Sequence, residues 1–491
     1  MKRYQVLALL PFLAFFSCTE KTTAPPQKPN VLFIAVDDLR PELGVFEKNY
    51  VHSPNIDRLA QEGILFKKHF VNMPTCGASR YSLLSGKWPR TRAGISNTAI
   101  AELIAKKSDG SEAESFVHQL RKNNYYTVGI GKISHYVDGK IMPQNRTEVK
   151  GWELPHSWDE MLLDVGKWGG SWGVFFGYAD GSNRNDRNKE VKPYEAADVE
   201  DEGYPDGLTA NLAIKKLAEL KEKEQPFFLG VGFFKPHLPF NAPKKYWDMY
   251  EREEIPLSPN PGIPENIHLA SLHASGEFNQ YKLGEEKNSL EKPLSDAYAR
   301  KLRHGYLACV SYTDALIGKV LDALEETGLA DNTIVVLWGD HGWHLGDQRI
   351  WGKHTLFDRA LHSPLIIRMP GGEGKGQTRE EVVSTTDIYP TLMQLTGTPR
   401  PEGLDGRELS KLWEEGNPVW ENHAWSYFRQ GISLRTEQYR LTKYFREAAP
   451  QIELYDHQAD PFEAKNIATT RPTFTDSLLK VLEKGNTGLY D

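Results

Sequence analysis

Four short apolar runs along the chain have the pattern of buried strands. Each run is continuous in apolar or β-branched residues instead of alternating with polar ones, which is typical of parallel strands covered on both faces. The runs are Val31–Val36, Tyr126–Ile130, Phe227–Val231 and Thr333–Trp338. We therefore expect these four segments to belong to one central sheet.

Helical periodicity fills stretches between these strands, including Leu208–Lys223 and a longer segment from Ser295 to about Glu326. The pair Ser295-Asp296 supplies an N-cap for the second helix, and Gly328 follows its C-terminus, as helix boundaries favour. Strands that alternate with helices predict an α/β fold. In this fold a large mixed, mostly parallel sheet is sandwiched by helices.

Two long stretches, 138–205 and 256–292, break this rhythm and predict loops over the sheet. Loops of such length usually carry function or disorder. From about residue 418 the pattern changes again, so we predict a main domain over 30–417 and a smaller C-terminal α+β domain over 418–491. Its expected elements are the strands Ala424–Phe428, Gly431–Arg435 and Tyr439–Tyr444 and a helix near Phe474–Lys484.

The N-terminal segment has the features of an export signal. Two basic residues precede the apolar run Val6–Phe16, which is too short to span a bilayer. A small residue directly before Cys18 resembles a bacterial lipoprotein cleavage site, although Phe15 is bulkier than usual there. We predict a signal peptide over 1–18, a lipid anchor on Cys18, a tether over 19–29, and a periplasmic or cell-surface location in a bacterium. A soluble secreted protein is the alternative.

The amino-acid composition of the chain restricts the kinds of molecule that it is expected to bind. The 491 residues carry a net charge of −7 without a basic block, which argues against nucleic acid as the main partner. A local cluster of cations can still bind a small anion inside a mildly acidic protein. Of the three cysteines, Cys309 has Leu302, Tyr306 and Leu316 at helical spacing, so we interpret it as a core residue.

Carboxylates directly follow two of the predicted strands. Asp37 and Asp38 end the first strand, and Asp340 with His341 ends the last. Because ligands bind off the carboxyl ends of parallel strands, we expect these side chains to converge. Adjacent carboxylates repel each other unless a cation or hydrogen bonds hold them, so we predict a hard-cation site that takes Ca²⁺ in preference to Mg²⁺. Alone, the two aspartates would also fit an exposed turn or a helix cap.

Basic residues follow the same predicted edge of the sheet. Lys132 and His135 come after the second strand, Lys235 and His237 come after the third, and Lys353 lies beyond the fourth. A single Lys or His in a loop is usually solvated. Five at one edge suit a site that binds a tetrahedral anion and moves its protons.

The pentapeptide Cys76-Gly77-Ala78-Ser79-Arg80, followed by Ser85-Gly86, resembles the maturation signature of the type I sulfatases. Nearly the whole mature chain carries similar segments in the family's order, and the family's fold is alkaline-phosphatase-like. Two segments most resemble the iduronate-2-sulfatase-like branch, in which His replaces the commoner Asn at position 341. These segments are Lys235–Phe240 and Asp340–Trp343, and the C-terminal half adds Asp387–Leu392 and Glu453–Asp456.

The resemblance implies a mechanism. A maturation enzyme would oxidise Cys76 to Cα-formylglycine, whose hydrated aldehyde attacks sulfur and contributes an oxygen to the metal. With Cys18 acylated as well, no disulfide is expected. The implied roles are charge neutralisation by Arg80, Lys132 and Lys353, proton acceptance by Asp340, leaving-group protonation by His237, sulfate release assisted by His135, and metal binding by Asp37, Asp38, Asp340 and His341.

The substrate that the resemblance implies is a sulfated carbohydrate, either a glycosaminoglycan or an algal polysaccharide fragment. A 2-O-sulfated uronic acid is the specific suggestion of the iduronate-2-sulfatase-like branch. Aromatic residues between Trp152 and Trp172 would either stack on sugars or only pack their own loops. Two other functions stay open, namely a phosphonate or phosphodiester hydrolase of the same superfamily and a catalytically decayed, glycan-binding surface lipoprotein.

Overall fold

The computed structural model describes residue 1 and residues 28–142, 148–413 and 419–490. The signal peptide, Cys18 and most of the tether therefore lie outside the described residues, as does the predicted domain boundary at 418. No helix in the described part is long and apolar enough to cross a membrane.

In chain order the described strands are β1 (Asn30–Val36), β2 (Ile64–Phe70), β3 (Tyr126–Gly131), β4 (Glu160–Leu162), β5 (Tyr194–Glu195), β6 (Phe227–Phe233), β7 (Phe240–Asn241), β8 (Thr333–Gly339), β9 (His344–Leu345), β10 (Trp351–Gly352), β11 (Leu365–Arg368), β12 (Gln377–Ser384), β13 (Ala424–Phe428), β14 (Gly431–Arg435), β15 (Tyr439–Tyr444) and β16 (Gln451–Asp456).

The main sheet has the strand order β12-β2-β11-β8-β1-β6-β3-β4. Its four central neighbours β8, β1, β6 and β3 are the four predicted strands, and they pair in parallel. Among the described strands of this sheet, only β11 runs against its neighbours. The predicted fold class, a mixed but mostly parallel sheet, is confirmed. All four central strands end at the same edge, so the residues that follow them are brought together.

Helices cover both faces of this sheet. The first large hydrophobic cluster packs Leu32, Ile34 and Val36 of β1 against one helical layer, and the second packs Val31, Phe33 and Ala35 against the other. Alternate residues of one strand thus enter two cores, which explains why the strand is apolar throughout.

In chain order the described α-helices are α1 (Pro54–Glu62), α2 (Cys76–Ser85), α3 (Phe116–Lys122), α4 (Ser171–Phe175), α5 (Pro205–Leu220), α6 (Lys244–Trp247), α7 (Gly276–Asn279), α8 (Asp296–Glu326), α9 (Asp358–Leu361), α10 (Ile388–Leu395) and α11 (Pro472–Leu482).

The long helix α8 begins where the sequence predicts, since the Ser295 side chain accepts a hydrogen bond from the Tyr298 backbone. The helix predicted over Leu208–Lys223 instead spans Pro205–Leu220. Its first residue is a proline, whose fixed φ and missing N–H suit the first turn, and the prediction overlooked this boundary. Cys309 is fully buried in α8, in agreement with its interpretation as a core residue.

The C-terminal strands β13 to β16 form a separate antiparallel sheet in sequential order. Helix α11 packs on β14 and β15, which gives the smaller α+β unit expected in this part of the chain. The sequence did not reveal β2, β11 and β12 of the main sheet. The interpretation of 138–205 as loops is wrong at β4, which forms an edge of that sheet.

Candidate active site

Cys76 is the first residue of α2, and its side chain lies at the carboxyl edge of the central strands. Its Sγ lies 3.4 Å from Oδ1 of Asp37, 3.3 Å from Nε2 of His341 and 3.3 Å from Nζ of Lys353. The side chain is buried. Burial and the charge of Asp37 raise the pKa of the Cys76 thiol to about 12. The group is therefore a neutral thiol near pH 7.

The neighbouring Gly77 has a packing role. A Cβ at this position would clash with the backbone of Asn97, whose Oδ1 accepts a hydrogen bond from the Gly77 N–H at 3.0 Å. The segment around Asn97 therefore lies directly against the start of α2, which only a residue without a side chain permits.

Three carboxylates surround Cys76. The backbone N–H of Asp38 donates to Oδ1 of Asp340 at 2.9 Å, which joins the tips of β1 and β8. Ligand atoms of Asp37, Cys76, Asp340 and His341 all lie within 4.8 Å of one another. Burial raises the pKa of Asp37, but Lys132 and other nearby cations outweigh it and hold the pKa well below its usual range.

The donor set fits a hard cation. Among the described residues, Oδ2 of Asp38 is buried and has no hydrogen-bond partner. Burial also raises the pKa of this carboxyl well above its usual range. An orphaned carboxylate oxygen beside two further carboxylates is the environment that Ca²⁺ or Mg²⁺ relieves. Asp37, Cys76, Asp340 and His341 form one group of donor atoms, and Asp38 forms a second group with Cys76 and His237.

Each of the three carboxylates forms an ion pair with its own basic side chain. The fully buried Arg80 pairs with Oδ2 of Asp340 at 3.0 Å and donates to the Ile133 carbonyl at 3.1 Å. Lys353 lies 2.8 Å from Oδ1 of Asp38, and Lys132 forms an ion pair with Asp37. Burial lowers the pKa of Lys353, but Asp38, Glu277 and the other anionic neighbours together outweigh this and hold the pKa well above its usual range. All three positive charges are therefore held at the centre of the site.

His237 lies at the rim of this cluster. Its Nδ1 lies 2.5 Å from the Leu238 carbonyl, and its Nε2 lies 3.0 Å from Oε1 of Glu277 and 3.8 Å from Oδ2 of Asp38. Burial and the charge of Lys353 lower the pKa of His237 to about 4. Glu277 is a site residue that sequence reasoning missed, since it comes from the four-residue helix α7 inside the irregular stretch 256–292.

The structure brings together most of the predicted site residues, but the contacts of His135 and Lys235 differ from those that the sequence predicted. His135 packs edge-on against Trp172 with ring centroids 5.9 Å apart, and it makes no hydrogen bond or ion pair within the described residues. Lys235 does not point to the anion site, because its Nζ donates to the carbonyls of His237 and Pro239 at 3.0 and 2.6 Å. The expectation that Lys235 binds the anion is therefore wrong. Its ammonium holds the loop that carries His237.

The four tryptophans of the stretch 138–205 differ in burial, and Trp158 is half-buried against Phe228 of the main sheet. Trp168 and Trp172 are buried in a cluster with Phe175 and Phe176, so they pack the loop itself. Trp152 is 43% exposed. Sugar stacking by the buried pair is excluded.

Comparison with known proteins identifies the family. The profile of the sulfatase family matches residues 29–398, and that of the N-sulphoglucosamine sulphohydrolase C-terminal region matches residues 339–485. The chain belongs to the sulfatase family. The human iduronate 2-sulfatase is 31% identical over 399 residues, which cover 78% of this chain and 67% of the human protein. The protein is therefore a sulfuric ester hydrolase, as the sequence predicted.

Solved structures agree on the fold. A complex of the protein BT4656 with its substrate D-glucosamine-2-N,6-O-disulfate superposes with a TM-score of 0.73 at 21% identity, covering 94% of this chain and 97% of that one. The phosphonate monoester hydrolase of Agrobacterium radiobacter also reaches 0.73, at 24% identity and 93% and 96% coverage. These likenesses confirm the alkaline-phosphatase-like architecture of this sulfatase.

Proposed function

We propose that this sulfatase hydrolyses sulfate monoesters of a sulfated carbohydrate by means of a formylglycine made from Cys76 and a bound Ca²⁺. We also propose that it is exported through residues 1–18 and held at a bacterial surface by a lipid on Cys18. The proposed substrate is a glycosaminoglycan or algal polysaccharide fragment, including one with a 2-O-sulfated uronic acid.

The observation that carries the proposal is the environment of Cys76. A cysteine nucleophile works as a thiolate, and such sites lower the thiol pKa. Here burial and the charge of Asp37 raise the pKa of Cys76 to about 12, although Lys353 lies 3.3 Å away. A neutral thiol is a weak nucleophile, which supports conversion of residue 76 to a group that carries hydroxyls. Hydrated formylglycine would supply one hydroxyl to attack sulfur and a second whose collapse releases sulfate.

The cation would lie among Asp37, Asp340 and His341, with Asp38 next to Asp340, and would polarise the sulfate oxygens. Arg80, Lys132 and Lys353 are preorganised donors that offset the negative charge of the sulfate, and such electrostatic stabilisation usually supplies most of the rate. Because Arg80 and Lys353 are fixed by ion pairs, they need no rearrangement when the sulfate binds.

Proton transfer to the leaving sugar oxygen is assigned to His237, whose lowered pKa of about 4 would rise when the negative charge of the sulfate ester enters the site and lets the ring hold a proton. Its Nε2 faces the site and Glu277, whereas its Nδ1 is engaged by the Leu238 carbonyl. His135 keeps its proposed role in the release of sulfate. Its buried Nδ1 has no hydrogen-bond partner among the described residues and is available for a proton.

The human iduronate 2-sulfatase at 31% identity and the neighbour solved with a disulfated glucosamine both support a carbohydrate sulfate. The Agrobacterium phosphonate monoester hydrolase, with its TM-score of 0.73, supports a second candidate, hydrolysis of phosphonate esters. The two functions share one fold and differ in the ester that they cleave.

The experiment compares the release of sulfate from an aryl sulfate with the hydrolysis of an aryl phosphonate by protein made beside a maturation enzyme. Cys76→Ala should lose all activity and remain folded. The matched control Cys309→Ala removes the buried thiol in α8. Its activity per folded molecule should equal that of the wild type, even if less of the protein folds. Activity retained by Cys76→Ala would refute the proposal, and a preference for the phosphonate would favour the second candidate.

A further inference from the structure

A cleft of about 630 Å³ opens beside the candidate active site. Its walls come from the segment 98–106, from Tyr136 and Ile141, and from residues between 150 and 155. The volume lies in the range of small-molecule sites. Residues that line it include Thr98, Glu102, Lys106, Tyr136, Lys150 and Trp152.

Two walls of this cleft adjoin the active site directly. Thr98 follows Asn97, whose side chain accepts the hydrogen bond from Gly77 beside Cys76. On the other wall, the Tyr136 ring packs against the His135 ring with centroids 5.6 Å apart. Two residues that line the cleft, Thr98 and Tyr136, are thus each one residue away in the chain from a residue at the active site.

Trp152 presents an exposed aromatic ring on a rigid support. The ring is 43% exposed, whereas the next residue, Glu153, is fully buried. Oε2 of Glu153 accepts a hydrogen bond from the Tyr136 backbone at 2.7 Å, and its own N–H donates to the Gly139 carbonyl at 2.8 Å. An aromatic surface that is already fixed loses little entropy on binding, which is the arrangement that favours stacking against a sugar ring.

The charges of the cleft match an anionic ligand. Lys106 and Lys150 line it, and Lys140 lies 5.5 Å from the centroid of the Trp152 ring. Lys106 pairs with Glu102 and Lys140 with Asp138, so three lysines face two carboxylates. The remaining positive charge favours sulfate or carboxylate substituents.

We infer that this cleft binds a second sugar unit of a sulfated oligosaccharide, next to the unit that is desulfated, with Trp152 against the sugar face. The inference rests on the proposed function and makes it more specific. The enzyme would act on oligosaccharides in preference to isolated sulfated monosaccharides.

The test uses the full-length matured protein and a fixed panel of sulfated tetrasaccharides from heparin, chondroitin sulfate, ulvan and carrageenan. Trp152→Ala should lower the ratio of kcat/KM for the preferred tetrasaccharide to kcat/KM for an aryl sulfate by about tenfold. Trp152→Phe, which keeps an aromatic face, should recover part of that ratio. The matched control is Phe462→Ala, which removes a surface aromatic that is 36% exposed and does not line the cleft. It should leave the ratio unchanged.

Binding is measured in parallel by titrating the panel into the Cys76→Ala protein, which cannot turn over. The inference expects at least one tetrasaccharide to bind, and Trp152→Ala in that background to weaken its binding by about tenfold. An unchanged ratio with unchanged binding, or no binding of any tetrasaccharide, overturns the inference. Failure of the proposed function is seen separately, as absence of sulfate release from the aryl sulfate by the wild-type protein.

Discussion

Nε2 of His237 lies 3.0 Å from Oε1 of Glu277, a carboxylate that comes from the short helix α7. Because Nδ1 of the same ring faces the Leu238 carbonyl, the imidazole is fixed between a carbonyl and a carboxylate. Oε2 of Glu277 is buried, has no hydrogen-bond partner among the described residues, and lies 3.7 Å from Nζ of Lys353. Glu277 thus contacts both the proposed acid and an anion-binding cation.

We predict that Glu277→Gln lowers kcat for a sugar sulfate by roughly tenfold and lowers it less for an activated aryl sulfate. The carboxylate orients His237, and protonation matters most for a poor leaving group. Steady-state kinetics on both esters measure the difference. Glu265→Gln, an exposed carboxylate of the same irregular stretch, serves as the control. Equal losses on the two esters would contradict the role of Glu277 as a positioning residue.

The two lysines Lys353 and Lys235 should respond differently to replacement by methionine. Lys353→Met removes a cation 3.3 Å from Cys76 and should lower kcat/KM by about 100-fold or more. Lys235→Met leaves two loop carbonyls without their donor and should lower the free energy of unfolding by roughly 1–3 kcal/mol. Its activity per folded molecule should fall less than that of Lys353→Met. The reverse order of activities would show that the roles are exchanged.

Removal of divalent cations should lower both activity and the thermal midpoint of unfolding. Without a divalent cation, the buried Oδ2 of Asp38 has no hydrogen-bond partner among the described residues, and three carboxylates stay close together with only side-chain cations beside them. At a concentration 100-fold above its dissociation constant, a bound cation stabilises by about 2.7 kcal/mol. Scanning calorimetry after chelation and dialysis tests this, with Ca²⁺ restoring both properties better than Mg²⁺. Unchanged activity and midpoint after complete removal would rule out the cation site.

A buried ion-pair network next to β1 predicts a pH dependence of stability. Burial raises the pKa of Glu42, but Arg40 and Arg303 outweigh this and lower the pKa to about 2 from the ordinary value of 4.5. A depressed folded-state pKa contributes stability above the unfolded value, and that contribution is lost as the pH falls from about 4.5 to about 2.

Glu42→Gln should therefore be less stable than the wild type at pH 7 by roughly 3 kcal/mol, because the buried Arg303 loses its ion-pair partner and Arg40 keeps only Asp347. The difference between the two proteins should shrink as the pH falls through this window. Denaturant titrations at several pH values measure it, with Glu47→Gln as the exposed control. A difference that stays constant with pH would contradict the account.

Much of the site was predictable from sequence because its residues directly follow parallel strands, and ligands bind at the carboxyl ends of such strands. Asp37, Lys132, His237 and Asp340 follow four continuous apolar runs, and parallel pairing of those runs brings their carboxyl ends together. Glu277 carried no such signal, because a four-residue helix in an irregular stretch has no periodicity to recognise.

Side-chain direction was also beyond the reach of sequence reasoning. Lys235 and Lys353 look alike in a sequence, yet one turns back to its own loop and the other faces Cys76. In the main sheet, β2 and β12 were missed because each mixes apolar with charged residues and lies at or near the sheet edge. Such strands lack the continuous apolar pattern of the central four.

Peptide mass spectrometry of the active protein decides whether residue 76 acts as a formylglycine. We expect an aldehyde in place of the Cys76 thiol, with the rate of sulfate release proportional to the converted fraction across preparations. Sulfate release by protein whose Cys76 is entirely an unmodified thiol would contradict this expectation.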